Sequence, residues 1–140
     1  MSLFNSFKLA GSAMQAQTQR LNTVASNLAN VETAASKPED VYKPRKVIFE
    51  AALDKAKPGS AAMANSVEVK KVIAEEVEPR KLYDPKHPMA DEQGYVYMPN
   101  VSAVEEMVDM MAASRSYQSN AEVMNTAKSL MLKTLSIGQN

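Results

Sequence analysis

The sequence predicts a mainly α protein. A long N-terminal helix and a long C-terminal helix should pack together as a coiled coil, with a small irregular middle containing short β-strands. Apolar residues recur about every seven positions at both ends of the chain, the spacing of a helical seam. All 7 prolines lie between residues 38 and 99, and proline interrupts long helices. We therefore divide the 140 residues into segments 1–33, 34–99 and 100–140.

The N-terminal segment has the pattern of one long amphipathic helix. Its main apolar row contains Phe7, Met14, Leu21 and Leu28, and its companion row contains Leu3, Ala10 and Val24. Gln17 interrupts the companion row, and polar residues cover much of the remaining surface, so the apolar stripe is narrow. A narrow stripe requires a partner helix, and we assign Phe7, Met14 and Leu21 to the helix seam.

The C-terminal segment shows a second seam, formed by Met110, Tyr117, Met124 and Met131. Its start is well marked, because Asn100 or Ser102 can act as N-cap. Ser102 and Glu105 also have the S-x-x-E spacing of a capping box. Gly138 can adopt the left-handed conformation that closes a helix. The second helix is thus predicted to run from about residue 101 almost to residue 138.

The middle segment contains short runs rich in β-branched and aromatic residues. These runs predict strands or extended arms over 41–50, 67–73, 80–84 and 94–98. Between the first two runs, residues 53–66 are small and polar and include the turn signal Pro58-Gly59. We expect a flexible loop there.

The stretch SNLANVET, residues 26–33, lies where the first helical pattern stops. Asparagine tolerates left-handed backbone and bonds locally through its side chain, so Asn27 and Asn30 are predicted to terminate the first helix.

Composition argues against most chemical functions. The formal net charge is +0, with no basic stripe for nucleic acid, and Cys is 0, so thiolate metal sites are excluded. The sole histidine, His87, lies between two prolines without a nucleophile or ligand cluster, and 4 glycines cannot form a phosphate loop. No stretch is apolar enough to span a membrane. We predict no enzyme activity, no cofactor and no metal.

Two stretches resemble the bacterial flagellar axial proteins of the rod and hook family. RLNTVASNLANVET (20–33) is similar to the family's N-terminal signature, carried here by Ser26, Asn27, Leu28, Ala29, Asn30 and Thr33. The sequence MPNVSAVEEMVDMMAASRSYQSNAEVMNTAK (98–128) is more specific and resembles proximal-rod subunits. VYKPRKVIF and DPKHPMADEQGYV match the same pattern.

The resemblance implies a structural subunit of the proximal rod that assembles helically into the drive shaft between motor and hook. It implies partners that are copies of the chain and neighbouring rod subunits. It also implies export through the flagellar type III apparatus without a cleaved signal, and a location in the basal body, in the periplasmic space.

Two other interpretations remain at the level of sequence. The heptads also permit a soluble two-helix coiled-coil adaptor that binds a partner helix in a groove. A filament subunit should make head-to-tail contacts, whereas an adaptor should close into a small complex. A hydrolase that uses His87 would lose its activity on His87→Ala.

Overall fold

Two long helices and two small antiparallel sheets are the main elements of the described part of the protein. The structure, a computed structural model, describes residues 3–53 and 64–137. The elements are helix α1 at Leu3–Ala29, a short 3-10 helix at Pro38–Asp40, strands β1 at Arg45–Leu53, β2 at Ala64–Ala74, β3 at Arg80–Tyr83 and β4 at Tyr95–Met98, and helix α2 at Ala103–Ile137. The predicted arrangement of two terminal helices around a middle of short strands is confirmed.

The two helices lie antiparallel, so that early residues of α1 meet late residues of α2. A Cβ added at Gly11 would lie 3.5 Å from Met124 Cε. Further along, Arg20 Nη2 lies 3.0 Å from Asp109 Oδ1. The helices bury small side chains, including Ala10, Ala113 and Ala127, and small residues let two helices approach closely.

The first sheet is a hairpin that packs along α1. β1 pairs antiparallel with β2 from Arg45 opposite Ala74 to Leu53 opposite Ala64. The backbone N–H of Val67 donates to Ser12 Oγ on α1 at 3.0 Å, so the hairpin is bonded to the helix as well as packed on it. Both strands extend into the range predicted as a flexible loop, 53–66, since β1 includes Leu53 and β2 begins at Ala64. Residues 54–63 of that range lie outside the described part of the chain.

The second sheet pairs β3 with β4 and is extended by an isolated bridge between Ala35 and Tyr97. Val96 at its centre is completely buried. The preceding turn ends at Gly94, whose φ of 81° favours glycine. Asp91 holds this turn by accepting hydrogen bonds from the backbone N–H groups of Gln93 and Tyr95. The Tyr95 bond is the largest cause of the lowered pKa of Asp91.

The helix ends differ slightly from the predicted ones. Helix α1 ends at Ala29, between the two asparagines predicted to terminate it, Asn27 and Asn30, and a turn follows it. Helix α2 begins at Ala103, directly after Ser102, whose Oγ accepts a long hydrogen bond from the Glu105 N–H at 3.4 Å. The predicted closure at Gly138 lies outside the described residues.

Candidate assembly junction

The centre of the candidate site is the side chain of Asn27, which is only 1% exposed. Its Nδ2 donates to the carbonyl oxygen of Arg45 at 2.9 Å and to Glu106 Oε1 at 3.0 Å. Its Oδ1 accepts from the backbone N–H of Arg45 and from the Tyr42 hydroxyl, both at 2.9 Å. A carboxamide has two N–H donors and two oxygen lone pairs, so Asn27 uses its whole hydrogen-bonding capacity.

These four bonds join three parts of the chain at one point. Asn27 belongs to α1, Tyr42 and Arg45 lead into and begin the hairpin, and Glu106 lies in the first turn of α2. A buried amide that lost its partners would be strongly unfavourable, because desolvation would no longer be compensated. The junction therefore stabilises one relative placement of the two helices and the hairpin.

Asn30 closes α1 through its side chain. Its Nδ2 donates to the Ser26 carbonyl at 2.8 Å, and its own carbonyl accepts from Thr33 Oγ1 at 2.7 Å. No residue other than glycine has a positive φ in the described ranges, so this end does not use a left-handed asparagine. The prediction that Asn27 terminates the helix is wrong, since Asn27 lies inside α1 and its side chain is used for tertiary contacts.

Glu106 is the ionisable group of the junction. Its partial burial raises the pKa of the carboxyl, whereas the hydrogen bond from Asn27 lowers it. The neighbouring Asp109 and Glu105 raise the pKa further, and Lys46 on β1 lowers it. Asp109 forms an ion pair with Arg20. Lys46 forms an ion pair with Glu75, with Nζ 2.9 Å from Oε1. Glu106 therefore accepts a proton more readily than an ordinary glutamate.

A small cavity of about 190 Å³ adjoins the junction. Its lining combines charged side chains of both signs with apolar ones: Arg20, Thr23, Val24, Arg45, Lys46, Val47, Phe49, Glu106 and Asp109. Within residues 3–53 and 64–137, no group of three or more His, Asp or Glu side chains could hold a metal ion. The arrangement suits the joining of structural elements.

The remaining predicted signature residues lie around Asn27 with different exposures. Ser26 is half-buried, with its Oγ 3.3 Å from the Tyr42 hydroxyl, and Leu28 is also half-buried. Ala29 and Thr33 are exposed. The structure thus brings Ser26 and Asn27 into tertiary contacts, whereas Asn30 and Thr33 bond locally at the helix end.

The predicted seam residues divide into two groups. Half-buried positions are Met14, Leu21, Met110, Met124 and Met131, while Phe7 and Tyr117 are 38% and 36% exposed. The most buried residues of the helix pair have small side chains or lie beside the predicted seam. Ala113, with 0% exposure, is an example. The assignment of a coiled-coil seam stays a prediction.

Sequence reasoning missed three contributors to the junction: Tyr42, Arg45 and Glu106. Tyr42 falls in the range 41–50 that the sequence predicts as a strand or extended arm, and Glu106 falls in the predicted second helix. Arg45 takes part through its backbone N–H and carbonyl groups, which every non-proline residue has, so its side chain gave no signal. Only the three-dimensional placement reveals this group.

His87 lies in the connection between β3 and β4 and not at the junction. Its Nδ1 accepts a hydrogen bond from the backbone N–H of Met89 at 3.1 Å. The backbone N–H of His87 donates to the carbonyl oxygen of Asp84. The histidine thus has a role within its turn. In the described part of the chain, no helix is both long and apolar enough to cross a membrane.

The fold and the junction define the class as a protein of two packed terminal helices around small antiparallel sheets. Comparison with known proteins then identifies the family. Residues 7–34 match the family profile described as flagella basal body rod protein, and residues 92–137 match that of the flagellar basal body rod FlgEFG protein C-terminal region. The first matched range covers α1 from Phe7 onward with its SNLANVET end, and the second contains β4 and α2.

Relatives extend this similarity along the whole chain. The flagellar basal-body rod protein FlgC of Escherichia coli O157:H7 is 49% identical over 139 residues, covering 99% of this chain and 100% of that protein. FlgC of Salmonella typhimurium is 48% identical with the same coverage, and FlgC of Bacillus subtilis is 36% identical over 150 residues, again covering 99% and 100%. The chain belongs to the flagellar basal-body rod protein family, as its sequence resemblance predicted. These relatives are structural rod proteins, which confirms the prediction that the chain is not an enzyme.

Proposed function

We propose that this chain is a structural subunit of the proximal rod in the bacterial flagellar basal body. It assembles helically with copies of itself and with neighbouring rod subunits, and the resulting shaft transmits motor torque to the hook. The observation that carries the proposal is the end-to-end similarity to proteins named as basal-body rod proteins. A hydrolase that uses His87 receives no support from these relatives.

The proposal includes a route and a location. The subunit leaves the cell interior through the flagellar type III export apparatus without a cleaved signal, and it takes its place in the rod within the periplasmic space. Both parts are supported by the resemblance of the SNLANVET stretch and of the α2 sequence to the axial family.

In this proposal the signature and seam residues act in assembly. Asn27 fixes the placement of α1, the hairpin and α2, so that each subunit presents one shape to its neighbours. The seam residues Phe7, Met14, Leu21, Met110, Tyr117, Met124 and Met131 pack as a coiled coil between terminal helices. The antiparallel contact of α1 with α2 supports this packing.

The adaptor interpretation predicts a small closed complex instead of a shaft. Full-length coverage of rod proteins favours the shaft, because an adaptor that merely borrowed the helix pattern need not match the middle segment as well. The two also differ in the assembled product, which is elongated for the shaft and closed for the adaptor.

The experiment is complementation of a non-motile strain that lacks its own copy of this rod subunit. The chain should restore swimming, and isolated basal bodies should contain it in the rod. Leu21→Asp and Met124→Asp should abolish swimming, because a charge in a water-excluding contact is costly. Lys86→Asp, in an exposed turn, is the matched control and should leave swimming intact. Swimming with rods that lack the chain would refute the proposal.

A further inference from the structure

An apolar groove opens at the end of the helix pair farthest from the junction. It has a volume of about 450 Å³ and is lined by Phe4, Phe7, Met124, Asn125, Lys128 and Met131. Phe4 is 74% exposed, so this groove presents an aromatic ring that the subunit itself does not cover. Lys128 supplies the positive charge among the lining residues.

An apolar stripe occupies the first turns of α2, at the opposite end of the helix pair. Val104, Met107, Val108 and Met111 follow the spacing i, i+3, i+4 and i+7, which places them on one helix face. Their exposures are 67%, 46%, 54% and 56%, whereas Ala113 on another face is fully buried. Glu105, which is exposed, lies beside the stripe.

We infer that the groove of one copy binds the stripe on the first turns of α2 in a second copy. An amphipathic helix laid in a hydrophobic groove is a recurrent mode of recognition, and its anchors have this i, i+3, i+4, i+7 spacing. The charges also match, since Lys128 lines the groove and Glu105 flanks the stripe. This inference deepens the proposed function and rests on it, by naming the contact between successive copies.

The placement of the two surfaces makes the contact head-to-tail. Groove residues at 124–131 and stripe residues at 104–111 are about 20 positions apart, which corresponds to about 30 Å along an α-helix. A contact between two different patches is heterologous, and it continues from copy to copy unless the rotation closes a ring. Each copy therefore offers a free groove at one end and a free stripe at the other.

The test uses variants with one introduced cysteine each, and because the natural chain has 0 cysteines, each variant carries a single thiol. Purified Phe4→Cys is mixed with purified Val108→Cys under mild oxidation, and disulfide-linked dimers are quantified. The mixture should yield the mixed dimer, since a disulfide needs Cα atoms within about 7 Å. Ser116→Cys, exposed on a different face of α2, is the matched control and should yield little product with Phe4→Cys.

A charge exchange tests the same contact independently. Glu105→Lys in the Val108→Cys copy should reduce the yield about two- to fivefold, the range expected for an exposed ion pair. Lys128→Glu in the Phe4→Cys copy should restore it. Urea unfolding of each variant alone separates a loss of contact from a loss of fold.

Three results would overturn the inference. They are dimers formed by Val108→Cys alone in equal yield, equal yields from Ser116→Cys and Val108→Cys, and no mixed dimer. The cysteine variants are also placed in the complementation strain. Rods that contain both variants but show no cross-link would contradict the inference alone, whereas absence of the unmodified chain from the rods would contradict the proposed function.

Discussion

The two long helices differ in how far the subunit covers their apolar residues. In the described part of α1, the large apolar side chains classed as exposed are Phe4 and Phe7, both near its start. In the described part of α2 there are nine, spread over its length and faces: Val104, Met107, Val108, Met111, Tyr117, Val123, Leu130, Leu132 and Leu135. Yet the two helices pack against each other and share one buried interface.

This difference separates the requirements of folding from those of assembly. A helix with one apolar stripe can bury it against a single partner, whereas a helix that is apolar on several faces is typical of buried surroundings. Helix α1 receives α2 on one side and the hairpin on another. Helix α2 is covered mainly by α1, so its other apolar faces stay exposed in the subunit. In the proposed function these faces meet other rod subunits.

The largest expected effect on the subunit comes from breaking the junction. Asn27→Ala removes four hydrogen bonds and leaves the Arg45 backbone and Glu106 without their partner. We expect the free energy of unfolding to fall by about 2–4 kcal/mol, as for the loss of a buried hydrogen-bond network. Urea denaturation of the isolated subunit measures this.

Asn30→Ala is the matched control for Asn27→Ala. Asn30 is half-buried and its side chain donates one local bond, to Ser26. Its loss should cost about 0.5–1.5 kcal/mol, the usual contribution of one hydrogen bond. Equal losses for the two variants would show that Asn27 acts only as a local helix residue.

A smaller effect is expected from overfilling the contact between the helices. Ala113 is 0% exposed, so Ala113→Leu must displace its neighbours and should cost about 1–3 kcal/mol. Ala112→Leu, at the exposed neighbouring position, should leave unfolding within about 0.5 kcal/mol of the unmodified chain. Thermal or urea unfolding compares them, and a tolerated Ala113→Leu would refute close helix packing there.

The next effect depends on pH. Burial raises the pKa of Glu106 above its ordinary value of 4.5, so the folded subunit holds the proton more firmly than the unfolded chain. Glu106 therefore becomes less favourable to folding as pH rises through its folded pKa. Glu106→Gln keeps an acceptor for Asn27 and removes the charge.

We expect Glu106→Gln to be as stable as the unmodified subunit or slightly more stable at pH 7. The advantage should disappear as the pH falls below 4.5, where Glu106 is protonated in both states. Asp91 acts in the opposite sense, because its lowered pKa gives stability that is lost on acidification. Comparing the urea midpoints of Glu106→Gln and the unmodified subunit at each pH cancels the contribution of Asp91. A Glu106→Gln subunit that is clearly less stable at pH 7 would contradict the raised pKa of Glu106.

The sequence was sufficient to predict the helices, because period and proline placement act locally. The strands at 80–84 and 94–98 were predicted for the same reason, from β-branched and aromatic runs, and the structure has them within one residue at each end. The ends of the loop predicted over 53–66 could not be predicted correctly, because cross-strand pairing extends β1 and β2 into a stretch of weak β-propensity.

The junction could be predicted only in part. The SNLANVET stretch singles out Asn27, but from local sequence alone an asparagine there predicts only a helix end. The true partners lie 15 to 79 residues away along the chain, and one of them is a backbone amide. The same holds for Ser12, whose bond to Val67 spans 55 residues. Tertiary hydrogen bonds of this kind leave no periodic trace in a sequence.

The central claim, that the outward face of α2 serves assembly and not the subunit fold, is tested most directly by one substitution made at two places. Val24→Asn alters a buried valine of α1 that is 4% exposed, and Val108→Asn alters the 54% exposed valine of the stripe. Valine and asparagine have similar helix propensities, so the difference reports burial. The measurement is the urea unfolding of each isolated subunit, with swimming and basal bodies scored in the complementation strain. We expect Val24→Asn to lose about 2 kcal/mol or more, and Val108→Asn to unfold like the unmodified chain while failing to build rods. Equal destabilisation by the two substitutions, or normal rods from Val108→Asn, would contradict the account.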